Sequence, residues 1–118
     1  MTVKVKRIYE SPERADGVRI LVDRLWPRGL TKEEAALDEW IRDIAPSDKL
    51  RAWFGHQQNR WLEFNRRYKK ELGKPEQKAI VRRLRKISGI ATVTLLYAAK
   101  DEEHNNAVAL ASVLQKKS

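Results

Sequence analysis

The chain has 118 residues, 42% of them hydrophobic, and its 25 lysines and arginines exceed its 16 aspartates and glutamates to give a net charge of +9. Because it has no cysteine and only two histidines, thiol catalysis and cysteine-ligated metals are excluded, and a histidine-rich metal site is disfavoured. No apolar run approaches the roughly 18 residues that span a bilayer, and the first residues lack the apolar segment of a signal peptide. We therefore expect one cytoplasmic domain over residues 1–118, with no membrane partner and no metal or other cofactor.

Four segments have the pattern of strands. Residues 3–8 alternate apolar and basic side chains, which predicts a half-exposed strand. Residues 18–25 and 91–98 are nearly continuous apolar runs, which predict two buried strands. Residues 38–44 suit either a short strand or an amphipathic turn, and the sequence leaves that choice open.

Two short helices are predicted in the first half of the chain. Thr31 and Glu34 have the spacing of a capping box, in which each side chain bonds the backbone amide of the other residue. Ser47 is the expected cap of the next helix, which should end at Gly55. Both helices lie between the two predicted buried strands.

Three longer helices are predicted in the second half. The first should end at Gly73, and its apolar face is formed by Trp61, Phe64, Tyr68 and Leu72. The second should begin at Pro75 and end at Gly89, and Asp101 is the expected cap of the third. Together with the strands, this order predicts a single α/β domain in which helices pack around a small sheet of about three or four strands.

Each predicted buried strand delivers an oppositely charged pair at its carboxyl end, Asp23 with Arg24 and Lys100 with Asp101. In open α/β sheets ligands bind at the carboxyl ends of the strands. Arg28 lies close by in sequence and carries a planar guanidinium group suited to phosphate or carboxylate. The alternative is that these residues form only ion pairs and that Asp101 is only a helix cap.

Two more polar residues are candidates for the same site. His56 follows a predicted helix, and its alternative role is that of a solvent-exposed histidine at a helix end. Asn106 lies near Asp101 in sequence, and its alternative role is ordinary helix capping. The candidates for catalysis are thus Asp23, Asp101 and His56, and those for ligand binding are Arg24, Arg28, Lys100 and Asn106.

Most of the net charge lies in residues 58–86, which hold eleven lysines and arginines but only three glutamates. Basic helices of this kind are able to contact the phosphates of a nucleic acid without reading its sequence. The candidate residues for such an interface are Arg82, Arg83 and Arg85. The alternative is a solvated surface that keeps the protein soluble.

Five motifs extend over nearly the whole chain: VDRLWPRG at 22–29, LRAWFGH at 50–56, WLEF at 61–64, LLYAAKD at 95–101 and HNNA at 104–107. In this order they resemble the YeaO-like family of small bacterial proteins of unknown function. The resemblance implies no activity, but its marked positions coincide with the charged strand ends.

Two functions follow from the sequence. The first is a site at the strand ends for a small ligand that bears phosphate or carboxylate, used either for binding or for catalysis. The second is a nucleic-acid-binding module that uses the basic helices at 58–86. The chain has no Walker loop, dinucleotide-binding glycine motif or zinc-protease motif that would decide between them.

Overall fold

A computed structural model describes residues 2–116 of the chain. In this range the strands are β1 (Val3–Arg7), β2 (Val18–Leu21), β3 (Glu39–Trp40) and β4 (Val93–Tyr97). The helices are α1 (Lys32–Ala35), α2 (Asp48–Phe54), α3 (Trp61–Leu72), α4 (Pro75–Ile90) and α5 (Asn106–Gln115). The strands form one sheet in the order β1-β4-β2-β3 and every pair is parallel, which confirms the predicted α/β fold with a small sheet.

The sheet is covered on both faces, as the apolar sequences of β2 and β4 require. Ile20 and Leu95 point to one face and belong to a large core shared with α2, α3, α4 and α5. Leu21 and Leu96 point to the other face and pack with Ala35 of α1 in a smaller cluster. Within residues 2–116, no helix is both long enough and apolar enough to cross a membrane.

Helix α3 buries the side of the helix that its sequence pattern predicts. Phe64, Tyr68 and Leu72 are buried, and Trp61 at the start of the helix is half-buried. The buried Tyr68 hydroxyl donates a hydrogen bond of 2.6 Å to the carbonyl oxygen of Ile44. This bond satisfies the one polar atom of that side chain and fixes α3 against the segment that precedes α2.

Several predicted boundaries differ from the observed ones. Strand β2 ends at Leu21, before the predicted end at Leu25, because the chain turns into a loop that lines the end of the sheet. Helix α4 continues through Gly89 to Ile90 and ends where Ala91 adopts the extended conformation that leads into β4. The undecided segment 38–44 contains both alternatives, the short strand β3 and a 3-10 turn over Arg42–Ile44.

The expected cap of the last helix was wrong. The N-cap of α5 is Asn105, whose side-chain oxygen accepts a hydrogen bond of 3.0 Å from the Val108 amide. The Asp101 carboxylate instead accepts hydrogen bonds from the amides of Glu103 and His104. Asp101 therefore closes a turn before the helix, and α5 starts several residues later than the sequence predicted.

The connections that follow β2 and β4 leave the sheet on opposite faces. The chain after β2 leads to α1, which packs on the face that contains Leu21 and Leu96. The chain after β4 leads to α5, which packs on the face that contains Ile20 and Leu95. Because β2 and β4 are neighbours, a crevice opens between their carboxyl ends, which is where open α/β sheets bind ligands.

Candidate ligand-binding site

A cavity of about 690 Å³ lies in this crevice. Its volume is within the range of about 300–1,000 Å³ that is typical of small-molecule sites. Five of the seven site residues predicted from the sequence line it, and Lys100 and Asp101 do not. The five are Asp23, Arg24, Arg28, His56 and Asn106.

Asp23 is held at the centre of the crevice by groups from both sides. The parallel register places Leu21 beside Leu96, so that the residues after β2 and those after β4 lie side by side. Asp23 Oδ2 accepts a hydrogen bond of 2.9 Å from the Ala98 amide, and Oδ1 accepts one of 3.1 Å from Asn106 Nδ2. Asn106 Nδ2 also donates to the carbonyl oxygen of Val22, which fixes the amide and therefore the carboxylate.

The surroundings of Asp23 disfavour its charged form. Burial raises the pKa of its carboxyl, and the hydrogen bonds from Ala98 and Asn106 and the charges of Arg51 and His56 lower it by less. The pKa of Asp23 is therefore above its ordinary value of 3.8. A carboxylate in this condition gains from any additional hydrogen-bond donor that a ligand brings into the cavity.

Two arginines in the cavity wall, Arg24 and Arg51, approach the same carboxylate oxygen of Asp48. Arg24 Nη2 donates to the carbonyl oxygen of Ala45 at 3.2 Å, whereas its buried Nε has no hydrogen-bond acceptor within residues 2–116. Arg51, on the second turn of α2, also lines the cavity. Both guanidinium groups lie 3.7 Å from Asp48 Oδ1, through Arg24 Nε and Arg51 Nη2. The cavity thus has a cationic side with incompletely used donors.

Aromatic rings form an apolar part of the lining. The Phe54 ring lies with its centroid 4.4 Å from that of Phe64 and 6.1 Å from that of His56. His56 has a φ of 57°, a left-handed conformation that is uncommon for a residue other than glycine, and its side chain is exposed. His56 is therefore both a solvent-exposed histidine after a helix, which was the alternative interpretation, and a member of the cavity wall.

The loop after β2 is held in place by side-chain hydrogen bonds. Tyr9 donates from its hydroxyl to the carbonyl oxygen of Arg28 at 2.8 Å. The indole nitrogen of Trp26 donates to the carbonyl oxygen of Leu30 at 2.7 Å, and its ring packs edge-on against Trp40. The Arg28 side chain is exposed at the rim of the cavity, where it adds positive charge.

Lys100 and Asp101 lie outside the cavity lining. Lys100 is exposed, and Asp101 is held in its turn by the Glu103 and His104 amides. The amide of Glu103 is the largest cause that lowers the pKa of Asp101 to about 2. Within residues 2–116, no three acidic or histidine side chains are grouped so as to hold a metal ion.

Two of the three arginines predicted for a nucleic-acid interface make contacts within the fold. Arg83 forms a bidentate ion pair with Glu39 of β3, with distances of 2.9 and 2.6 Å. Arg85 is half-buried and donates to the carbonyl oxygen of Val113 on α5 at 2.8 Å. Arg82 is exposed. Helix α4 therefore uses part of its positive charge to attach itself to its neighbours.

The sequence did not single out Arg51 or Asp48. Both belong to α2, whose apolar pattern indicates a buried face but does not indicate which end of the sheet the opposite face approaches. The one available signal is that Arg51 lies in the LRAWFGH motif, next to residues that resemble the YeaO-like family.

The comparisons agree over almost the full length of the chain. A family model described as "Inactive DUF488-N3 subclade" matches residues 2–118. The uncharacterized protein YeaO of Escherichia coli strain K12 is 44% identical over 115 residues, which are 98% of each chain. The uncharacterized protein Rv3073c of Mycobacterium tuberculosis is 40% identical over 112 residues, which are 95% of this chain and 92% of that protein. No solved structure matches the chain.

Proposed function

The chain belongs to the family described as the inactive DUF488-N3 subclade, and from this premise we propose that it binds a small organic anion at the carboxyl ends of β2 and β4. The ligand bears a phosphate or carboxylate group. The word "inactive" in the family description favours binding without turnover, so the proposal includes no reaction. The observation that carries it is that Arg24 and Arg51, which both approach Asp48 Oδ1, line the same cavity as the fixed carboxylate of Asp23.

In this proposal the arginines and Asp23 bind different groups of the ligand. Arg24 and Arg51 bind the anionic group, and Arg28 adds positive charge at the rim, where it attracts the ligand from solution. Asp23 accepts a hydrogen bond from a hydroxyl or amino group of the ligand, which would offset the cost of its burial. An anion without a donor, such as sulfate, cannot make that last contact, whereas an organic anion that carries a hydroxyl or amino group can.

The apolar lining supports the same conclusion. Phe54, Phe64 and Trp26 contribute aromatic surface to the cavity, and Ala98 and Ala99 after β4 contribute small apolar groups. Burial of ligand carbon atoms against such surface contributes roughly 25 cal/mol per Å² of apolar area. A ligand with an anionic head and an apolar or planar body therefore fits both sides of the lining.

The test is isothermal titration calorimetry with phenyl phosphate, ribose 5-phosphate and benzoate as probes. We expect at least one probe to bind the native protein, and Arg24→Ala and Arg51→Ala each to weaken it by roughly tenfold or more, since each removes a charged hydrogen-bond donor. Arg82→Ala is the matched control, because it removes an exposed arginine outside the cavity.

Two results would overturn this function. One is that no probe binds the native protein at millimolar concentration. The other is that Arg82→Ala weakens binding as much as Arg51→Ala, which would show a general charge effect in place of a site.

The alternative proposal is nucleic-acid binding through α3 and α4. It is supported by the exposed cations Lys78, Arg82 and Lys86, which recur every four residues on one side of α4. It is opposed by the contacts that occupy Arg83 and Arg85 within the fold.

A further inference from the structure

Asp48 stands at the point where an anionic group of a ligand would sit. Its Oδ1 atom lies 3.7 Å from Arg24 Nε and 3.7 Å from Arg51 Nη2. Both distances exceed the 2.7–3.2 Å that is usual for an N–H···O hydrogen bond, so this oxygen is close to two cations without a good bond to either. The Asp48 side chain is 76% exposed, and it is able to rotate into solvent at little cost.

We propose that the space between Arg24 and Arg51 is an anion subsite, that Asp48 is its resident competitor, and that the ligand fills it with a phosphate monoester. This inference rests on the proposed function and specifies its chemistry. In the free protein the Asp48 carboxylate partly neutralises the two arginines. On binding, the ligand displaces that carboxylate and takes over both guanidinium groups.

The charge of the displacing group distinguishes phosphate from carboxylate. A ligand carboxylate would exchange one monoanion for another, and the resident one has the advantage of being tethered beside the arginines. A phosphate monoester carries about −1.5 to −2 charges at pH 7 and three acceptor oxygens. It is therefore able to accept from Arg24 Nε, which has no acceptor within residues 2–116, and from Arg51 at the same time.

The test compares phenyl phosphate with benzoate, two probes that share a ring and differ in the anionic group. Their affinities are measured calorimetrically for the native protein, for Asp48→Asn and for Asp43→Asn. Asp43→Asn is the matched control, because Asp43 is an exposed aspartate outside the cavity lining. A urea melt of each variant verifies that it is folded.

We expect Asp48→Asn to raise the affinity for both probes by roughly three- to tenfold, since it removes two weak surface ion pairs that binding must break. The control variant should match the native protein. Phenyl phosphate should bind the native protein at least tenfold more tightly than benzoate, and this preference should shrink at pH 5, where the monoester dianion takes up one proton and becomes a monoanion.

The competitor role is overturned if Asp48→Asn leaves binding unchanged or weakens it. The phosphate assignment is overturned if benzoate binds the native protein as tightly as phenyl phosphate. In both cases the proposed function would still hold if a probe bound the native protein and Arg24→Ala abolished that binding. Failure of phenyl phosphate, benzoate and ribose 5-phosphate alike to bind the native protein would overturn that function as well.

Discussion

Two aspartate–arginine clusters lie at the two ends of β2, and they differ in how completely their polar atoms are used. At the amino end, Arg19 donates to Asp16 Oδ2 at 2.6 Å and to the carbonyl oxygens of Ala35 and Ala36. The Arg19 side chain is 5% exposed, and Lys6 adds a second cation beside Asp16. At the carboxyl end the Arg24 side chain is 30% exposed, and its Nε has no acceptor within residues 2–116.

The pKa values of the two carboxyls shift in opposite directions. Burial raises the pKa of Asp16, but hydrogen bonds from the Glu13 amide, Lys6 and Arg19 outweigh it, and the net pKa is below 3.8. Burial also raises the pKa of Asp23, and its hydrogen bonds do not outweigh that effect. An Asp–Arg cluster with all its donors and acceptors paired is structural, whereas one with unused donors next to a cavity is a candidate site.

The largest loss of stability is expected when the fully paired cluster of Asp16 and Arg19 is broken. Arg19→Ala should lower the free energy of unfolding by about 3–5 kcal/mol, because it leaves the buried Asp16 carboxylate without its closest cation and three hydrogen bonds unmade. Urea denaturation followed by circular dichroism measures the loss. Arg14→Ala is the control, since Arg14 is an exposed arginine in the same loop and should change stability by less than about 0.5 kcal/mol. A loss below about 1 kcal/mol for Arg19→Ala would contradict the structural role of this cluster.

A smaller effect should separate the two clusters by pH. The contribution of Asp16 is present above pH 3.8 and is lost as the pH falls below 3.8 through its lowered pKa, so Asp16→Asn should cost more stability at pH 7 than at pH 3. The ionised Asp23 costs stability at neutral pH, and that cost is relieved as the pH falls through its raised pKa towards 3.8. Asp23→Asn should therefore cost less at pH 7 than at pH 4. Urea melts at these pH values test both predictions. If the stability loss of both variants changed with pH in the same direction, the two clusters would not differ.

Substitutions at the carboxyl end of β2, around Arg24 and Arg51, should change the stability of the protein very little. Arg51→Ala should change the free energy of unfolding by less than about 1 kcal/mol, because the Arg51 side chain is 46% exposed and its ion pair with Asp48 spans 3.7 Å. The same variant should lose most of its affinity for the anionic probe. Thermal unfolding with and without phenyl phosphate measures both quantities in one experiment. If Arg51→Ala were as destabilising as Arg19→Ala, Arg51 would be a residue that stabilises the fold, and its proposed role in binding would be wrong.

The sequence predicted those parts of the molecule that depend on local patterns. The apolar runs of β2 and β4 predicted two buried strands, and Asp23 and Arg24 lie just after the carboxyl end of β2. Thr31 and Ser47 were recognised as caps because capping depends on a spacing of three residues. Patterns of this kind extend over one element and require no knowledge of the packing.

Features that depend on tertiary packing were not predictable in this way. Asp101 and Asn105 are both suitable caps, but the Asp101 carboxylate accepts hydrogen bonds from the Glu103 and His104 amides and from Gln58, which is distant in sequence. Arg51 entered the site because α2 packs with one end at the crevice, and a helical pattern gives a face but no direction. Arg83 has the composition of a phosphate contact, but β3 brings Glu39 within reach of it.

The smallest effect is expected for nucleic-acid binding by the basic helices at 58–86. Measuring it tests whether positive charge alone is sufficient for a binding surface. In residues 58–86, Arg66 and Arg67 pair with Glu63, and Arg83 pairs with Glu39. We therefore expect short RNA and DNA to bind weakly at low salt and not measurably at about 0.15 M salt, as titrations of fluorescence anisotropy would show.

Replacing the exposed row of cations on α4, Lys78, Arg82 and Lys86, by glutamate should abolish the low-salt binding and leave the affinity for phenyl phosphate within about twofold, because the row lies outside the cavity lining. Arg24→Ala should do the reverse. Glutamate at Arg83 would be a poor test, since it would place two carboxylates side by side and destabilise the contact between α4 and β3. If nucleic-acid binding persisted at about 0.15 M salt and disappeared in the triple variant, the basic helices and not the crevice would be the functional site.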